Sequence, residues 1–211
     1  MSSGDIMNLM GGNMSVNPMI KYSDIIAETA SNHWNVRDEF KDNTLEENRQ
    51  IQLTDGNYFA VGIINVTGDL NVGMMIRTAC LLGAEDVFVF GRKKIDKRSS
   101  VGAENYIPIS YYTYEDPLSM EDELIDDIQR LSQGYTPVLV EQGGTPLQYH
   151  DHNSIDYPLF LFGSESHGIP EEVCKAFPNH ISIPQWGVLR SYNVSSAMSM
   201  VCWDYVKTLN Q

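Results

Sequence analysis

From position 57 onward the sequence alternates short apolar runs with longer segments of helical periodicity, and this alternation constrains the fold more than any other feature. Tyr58 to Val66, Asp86 to Phe90, Thr136 to Val140, Pro158 to Phe162 and His180 to Ile183 read as strands. Their nearly unbroken apolar character suits strands covered on both faces. Asn71 to Leu82, Ser119 to Leu131, Glu171 to Phe177 and Ser191 to Leu209 read as the intervening and closing helices. The expected class is therefore α/β, a mostly parallel sheet with helices on both faces. Open sheets of this kind hold ligands outside the carboxyl ends of their strands, so the loops that follow strands are the places to look for chemistry.

Upstream the pattern is different. Residues 1–18 are rich in Met, Gly, Asn and Ser without a period and read as a tail. Residues 19–56 read as an N-terminal helical extension, one or two helices laid over the main domain of residues 57–211. There Ile25, Ile26, Ala30, Trp34 and Val36 recur at loose helical spacing before an acidic run through Asp38, Glu39, Asp42, Glu46 and Glu47. No run reaches the roughly 18 apolar residues of a membrane helix, and the start lacks a signal-peptide pattern, so a cytoplasmic protein is expected. Cys80, Cys174 and Cys202 lie far apart among apolar neighbours and read as reduced core residues. The Asn-x-Ser/Thr triplets at Asn13, Asn65 and Asn193 matter only in a secreted chain and are read as chance.

Three loops carry residues with chemical potential. The first, after the strand ending at Val66, contains Asn71, Gly73 and Arg77; Gly73 permits close backbone approach, and both polar side chains could face one cleft. The second, Gly163-Ser-Glu165-Ser-His-Gly168-Ile-Pro170, is a strand running into a glycine-rich turn. An ordinary strand-to-helix turn accounts for its glycines and proline but not for Glu165. The third runs from Ile181 through Ile183, Gly187, Leu189, Ser191, Tyr192 and Asn193, a loop before a helix whose Ser and Asn also suit a cap. On these residues alone the loops make a small-molecule site with no reaction specified.

Taken together, in order and with matching spacing, the three segments resemble the three sequence motifs of the SpoU/TrmH class of SPOUT RNA 2′-O-ribose methyltransferases, over about residues 57 to 208. The resemblance implies a deep trefoil knot at the C-terminal end of the sheet and S-adenosylmethionine as cofactor. It implies cofactor binding by Gly163, Ile183, Tyr192, Gly143 and Leu189, with Gly144 beside Gly143. The catalytic residues it implies are Arg77, Asn71, Glu165, Ser191 and Asn193, acting on RNA, transfer RNA before ribosomal RNA, in a homodimer without a metal. Arg77 matches the arginine that handles the ribose hydroxyl. Tyr192 stands where the family usually has leucine, and Gln185 and Trp186 replace a methionine-containing pair.

The formal charge of −14 is unfavourable for an RNA-binding chain, because phosphates repel an acidic surface. Against it stands a cluster, Arg92, Lys93, Lys94, Lys97 and Arg98, five of the chain's 14 Lys and Arg residues. It precedes Ser99 to Tyr106, which resembles the family's substrate-side loop, and is a candidate grip on phosphates; a solvated loop explains the charge run equally well. A non-catalytic or partner-dependent RNA-binding protein of the same fold is the alternative reading, and a generic nucleotide binder is disfavoured by the lack of a glycine-rich phosphate loop after the first strand. His150 and His152 read as a polar loop rather than metal ligands, and His167 as a surface residue. Met198, Met200, Trp203 and Tyr205 read as core or dimer packing.

Overall fold

The computed structural model describes residues 35–65, 69–91, 95–114 and 120–210. The tail and the Ile25, Ile26, Ala30 and Trp34 stripe lie outside the described residues. Helix α1 (Leu45–Thr54) opens on a capping box: the Thr44 hydroxyl accepts the Glu47 N–H, and the Glu47 carboxylate accepts the Thr44 N–H. Glu46 and Glu47 of the acidic run form the first turn of this helix, where carboxylates offset the positive end of the helix dipole. Arg49 Nε donates to the Asn105 carbonyl at 2.6 Å and Gln52 Nε2 to the Cys80 carbonyl at 3.0 Å, fastening α1 to the α/β body.

The body contains β1 (Ala60–Asn65), α2 (Asp69–Leu81), β2 (Asp86–Gly91), α3 (Lys97–Ser100), β3 (Ile109–Tyr112), α4 (Met120–Leu131), β4 (Thr136–Pro146), β5 (Pro158–Phe162), α5 (Glu171–Ala176), β6 (His180–Ser182) and α6 (Val194–Leu209). The strands form one sheet in the order β3-β2-β1-β5-β4-β6, with every pairing parallel. Strand side chains alternate between two cores. Val61, Ile63, Val87, Val89 and Phe160 face α2 and α6 through Met75, Ile76, Met198 and Val201. Ala60, Phe88, Phe90, Leu139 and Leu161 face α4 and α5 through Leu124, Ile128 and Val173. Helices thus cover both faces, as the unbroken apolar runs require.

The structure departs from the sequence expectations in four places. Strand β3 was not expected: Ile109-Ser-Tyr-Tyr112 is short and pairs with β2 alone at the sheet's edge, so it lacks a core strand's apolar run. Strand β4 continues past Val140, but Ile181 of β6 pairs with both Val140 and Thr145, so Glu141–Gly144 leave the ladder as a four-residue excursion. Helix α6 begins at Val194 rather than Ser191 because Asn193 caps it. His152, expected in a polar loop, is buried: its ring packs edge-on against Phe160 and Tyr205, and Nε2 lies 3.1 Å from Asp204 of α6.

Cys202 is buried and Cys80 and Cys174 half-buried, all three free thiols. Burial pushes the Cys80 thiol up to about 11 and raises that of Cys202. Neither is a thiolate nucleophile near neutral pH.

Candidate active site

Strands β1 and β5 are neighbours, with Ile63 opposite Phe162, so the loops leaving their carboxyl ends start side by side. The first leads into α2, whose first turn carries Asn71. The second turns sharply: Ser164 N–H donates to the Gly168 carbonyl at 3.1 Å and Gly168 N–H to the Ser164 carbonyl at 2.8 Å. This reversal needs its glycines, since Gly168 has φ +69° and a Cβ on Gly163 would lie 2.1 Å from the Gly168 carbonyl carbon. Its tip holds Glu165 in solvent, within reach of the other loops.

There the three loops meet. Asn71 Nδ2 donates to Glu165 Oε2 at 2.9 Å, and Asn193 Nδ2 donates to Asn71 Oδ1 at 3.0 Å and to Glu165 Oε1 at 3.2 Å. Asn193 Oδ1 in turn accepts the Ser195 and Ser196 N–H groups and the Ser195 hydroxyl. One side chain therefore caps α6 and closes the network. Both Glu165 oxygens are engaged, which fixes a carboxylate on an exposed turn in one orientation.

Beside this network lies an open cavity of about 270 Å³ between the second and third loops, near the lower end of small-molecule sites. Val140, Phe162 and Ile183 give it apolar walls, Gly163 contributes bare main chain, and Glu141, Glu165 and Arg190 put charge at its rim. That set fits S-adenosylmethionine: apolar walls for the purine, carboxylates for the sulfonium and ammonium, and a guanidinium for the carboxylate. Among the described residues, no group of three or more His, Cys, Asp or Glu side chains could hold a metal ion.

The SpoU rRNA Methylase family model matches residues 58–203, the stretch that carries the sheet and all three loops. The chain belongs to this family. It is 28% identical over 141 residues to the tRNA (guanosine(18)-2'-O)-methyltransferase TARBP1 of Mus musculus, covering 65% of this chain and 8% of the mouse protein. It is 24% identical over 158 residues to the tRNA (guanosine(18)-2'-O)-methyltransferase of Borreliella burgdorferi, covering 74% of this chain and 69% of that enzyme. Among solved structures it resembles the SpoU methyltransferase AviRb from Streptomyces viridochromogenes in complex with AdoMet. That match has a TM-score of 0.60 and 23% identity, covering 74% of this chain and 59% of that one.

Within this SpoU-family chain the expected site residues divide. Asn71, Glu165 and Asn193 come together as described, and Gly163, Ile183, Ser191 and Tyr192 line the cavity. Arg77 is exposed on α2 outside the cavity wall, with no hydrogen bond to the network among the described residues. Gly143 and Gly144 do not line this cavity: Gly143, at φ +86°, turns the excursion, and a Cβ on Gly144 would lie 2.7 Å from the β6 backbone. Leu189, 81% exposed on the third loop, is also absent from the wall. Gly73, expected to allow close approach, does so against α3, where a Cβ would meet Ser99 Oγ at 2.1 Å.

Of the basic cluster, Arg92, Lys93 and Lys94 lie outside the described residues. Lys97 is exposed, and Arg98 is tied to Asp96 through two hydrogen bonds, Nε to Oδ1 at 2.9 Å and Nη2 to Oδ2 at 2.6 Å. Sequence reasoning missed Glu141 and Gln142. The Glu141 carboxylate accepts the Ile169 N–H at 3.0 Å and the Gln142 N–H at 2.9 Å, while Gln142 Nε2 donates to the Arg190 carbonyl at 2.7 Å. Their only signal was the glycine pair that follows them.

Proposed function

We propose that this chain transfers the methyl group of S-adenosylmethionine to a ribose 2′-hydroxyl of RNA, transfer RNA before ribosomal RNA. The observation that carries the reading is the convergence of Asn71, Glu165 and Asn193, from three separate loops, beside a cavity whose lining fits the cofactor. Family membership and the tRNA 2'-O-methyltransferase relatives support the same chemistry. Since the chain spans 8% of the mouse relative's length, the choice of RNA rests on the matched domain alone.

Bound S-adenosylmethionine supplies a methyl group already activated by its sulfonium. The ribose hydroxyl is the weak partner, so the residues must orient it and stabilise charge as its proton leaves. In this reading Arg77, a fixed cation, stabilises the developing alkoxide rather than removing the proton itself. Glu165, held by both asparagines, and Ser191 orient the hydroxyl, while Gly163, Ile183 and Tyr192 hold the adenosine. A trefoil knot formed by the C-terminal segment and a homodimer belong to the same proposal, carried by the motif resemblance; a helical N-terminal extension, supported by the apolar spacing upstream, phosphate contacts, supported by the charge of the basic cluster, and a cytoplasmic location complete it.

Transfer of labelled methyl to bulk transfer RNA and to ribosomal RNA, with wild type and Arg77→Ala, tests the reading. Labelling of one pool, reduced at least about a hundredfold in the variant, corresponds to about 2.7 kcal/mol of transition-state stabilisation. Cofactor binding without transfer to either pool would favour the non-catalytic RNA binder.

A further inference from the structure

The third loop carries Arg190, Ser191 and Tyr192 to the cavity wall; Asn193 anchors its end, yet little holds the segment before it. Every residue from Gln185 to Asn193 is exposed, with Trp186 at 86% and Leu189 at 81%, so burial does not fix its path. The Tyr192 hydroxyl donates to the Pro184 carbonyl at 3.0 Å, but that bond joins the loop to itself. Among the described residues, the hydrogen bond that ties the segment 185–191 to the sheet is the one from Gln142 Nε2 to the Arg190 carbonyl.

Gln142 can reach Arg190 only because of the excursion in β4. Ile181 pairs with Val140 and again with Thr145, which takes Glu141–Gly144 out of the ladder and leaves Glu141 and Gln142 on the cavity wall. Gly143 turns the chain at φ +86°, and Gly144 passes so close to the β6 backbone that no side chain fits. Glu141, the neighbouring residue, accepts the Ile169 N–H and so grips the other wall-forming turn, where Gly168 leaves room for its carboxylate. Adjacent residues of one excursion thus hold two loops that lie 28 and 48 residues further along the chain.

We propose that Glu141 and Gln142 form a clamp that sets the spacing of the two cofactor-holding loops, with the Gln142 amide fixing the 185–191 segment of the third loop upstream of its Asn193 anchor. They are positioning residues, and the inference rests on the cavity being the cofactor site. A single net hydrogen bond of about 0.5–1.5 kcal/mol corresponds to a change of about two- to twelvefold in an equilibrium constant.

The test compares wild type with Gln142→Glu, which keeps the shape but loses the donor, and Gln142→Lys, which restores a donor. S-adenosylmethionine binding is measured by calorimetry, and cleavage after Arg190 is followed by limited digestion with an arginine-specific protease without cofactor. Gln142→Glu should weaken binding about two- to twelvefold and speed cleavage after Arg190, while Gln142→Lys stays near wild type in both and all three melt alike. Cleavage at the wild-type rate in Gln142→Glu would overturn the clamp whether or not the cofactor binds. Faster cleavage in a protein whose wild type binds no S-adenosylmethionine would leave the clamp standing and overturn the cofactor assignment instead.

Discussion

Asn193 uses both ends of its amide: the oxygen accepts from Ser195 and Ser196 at the start of α6, and the nitrogen donates to Asn71 and Glu165. An aspartate could cap but not donate, and a hydroxyl cap has one proton where the Asn193 amide donates two bonds. Glu165 is equally specific, because both its oxygens face amide donors. Glu165→Gln would turn an NH₂ toward one of those donors and free the side chain to rotate. Methyl transfer should then fall tenfold or more, each factor of ten being about 1.4 kcal/mol, and cofactor affinity should weaken too, because Glu165 is one of the carboxylates on the cavity wall. A variant with wild-type turnover would remove Glu165 from the reaction. These residues were legible in the sequence because each belongs to a short motif. Glu141 and Gln142 were not, because their reach depends on a pairing irregularity with a strand about 40 residues away, which no local pattern announces.

At the level of elements, most of the sheet could be read from apolar runs, since a strand covered on both faces has a composition that exposed segments cannot share. Strand β3 escaped because an edge strand of four residues with two tyrosines carries no such mark. The C-terminal half of β4 escaped for a different reason. It pairs across an interruption, and the resemblance cast its glycines as cofactor-pocket residues, whereas Gly144 is the contact that lets β4 return to β6. Gly144→Ala would place a methyl 2.7 Å from the backbone of His180 and Ile181, neither of which can rotate away. The expected cost is about 1–3 kcal/mol, measured by urea denaturation. An unchanged midpoint would mean that β4 and β6 part more easily than their geometry suggests.

Across the whole molecule, the formal charge of −14 bears on how the proposed RNA substrate would be held. Each phosphate neutralised by a cation contributes a slope of about −0.9 to the dependence of log K on log salt, so an acidic protein with few free cations should show a shallow dependence. Lys97 is exposed, whereas Arg98 is already matched by Asp96. Lys97→Glu should therefore flatten the salt slope of RNA binding by about one and Arg98→Ala by less. Equal slopes for wild type and Lys97→Glu would exclude Lys97 from the phosphate contacts.

The amide network has a further consequence for how the protein comes into being. Asn71 and Glu165 are 94 residues apart, and Asn71 and Asn193 are 122 apart. Contacts of such separation form only after the intervening polypeptide has been closed into place, which makes them late arrivals in folding. Every strand of the sheet ends before residue 193, so a chain emerging from the ribosome has all of its strands before the network can close. Until residue 193 is free to dock, a nascent chain lacks the residue that closes the network on which the proposed methyl transfer depends.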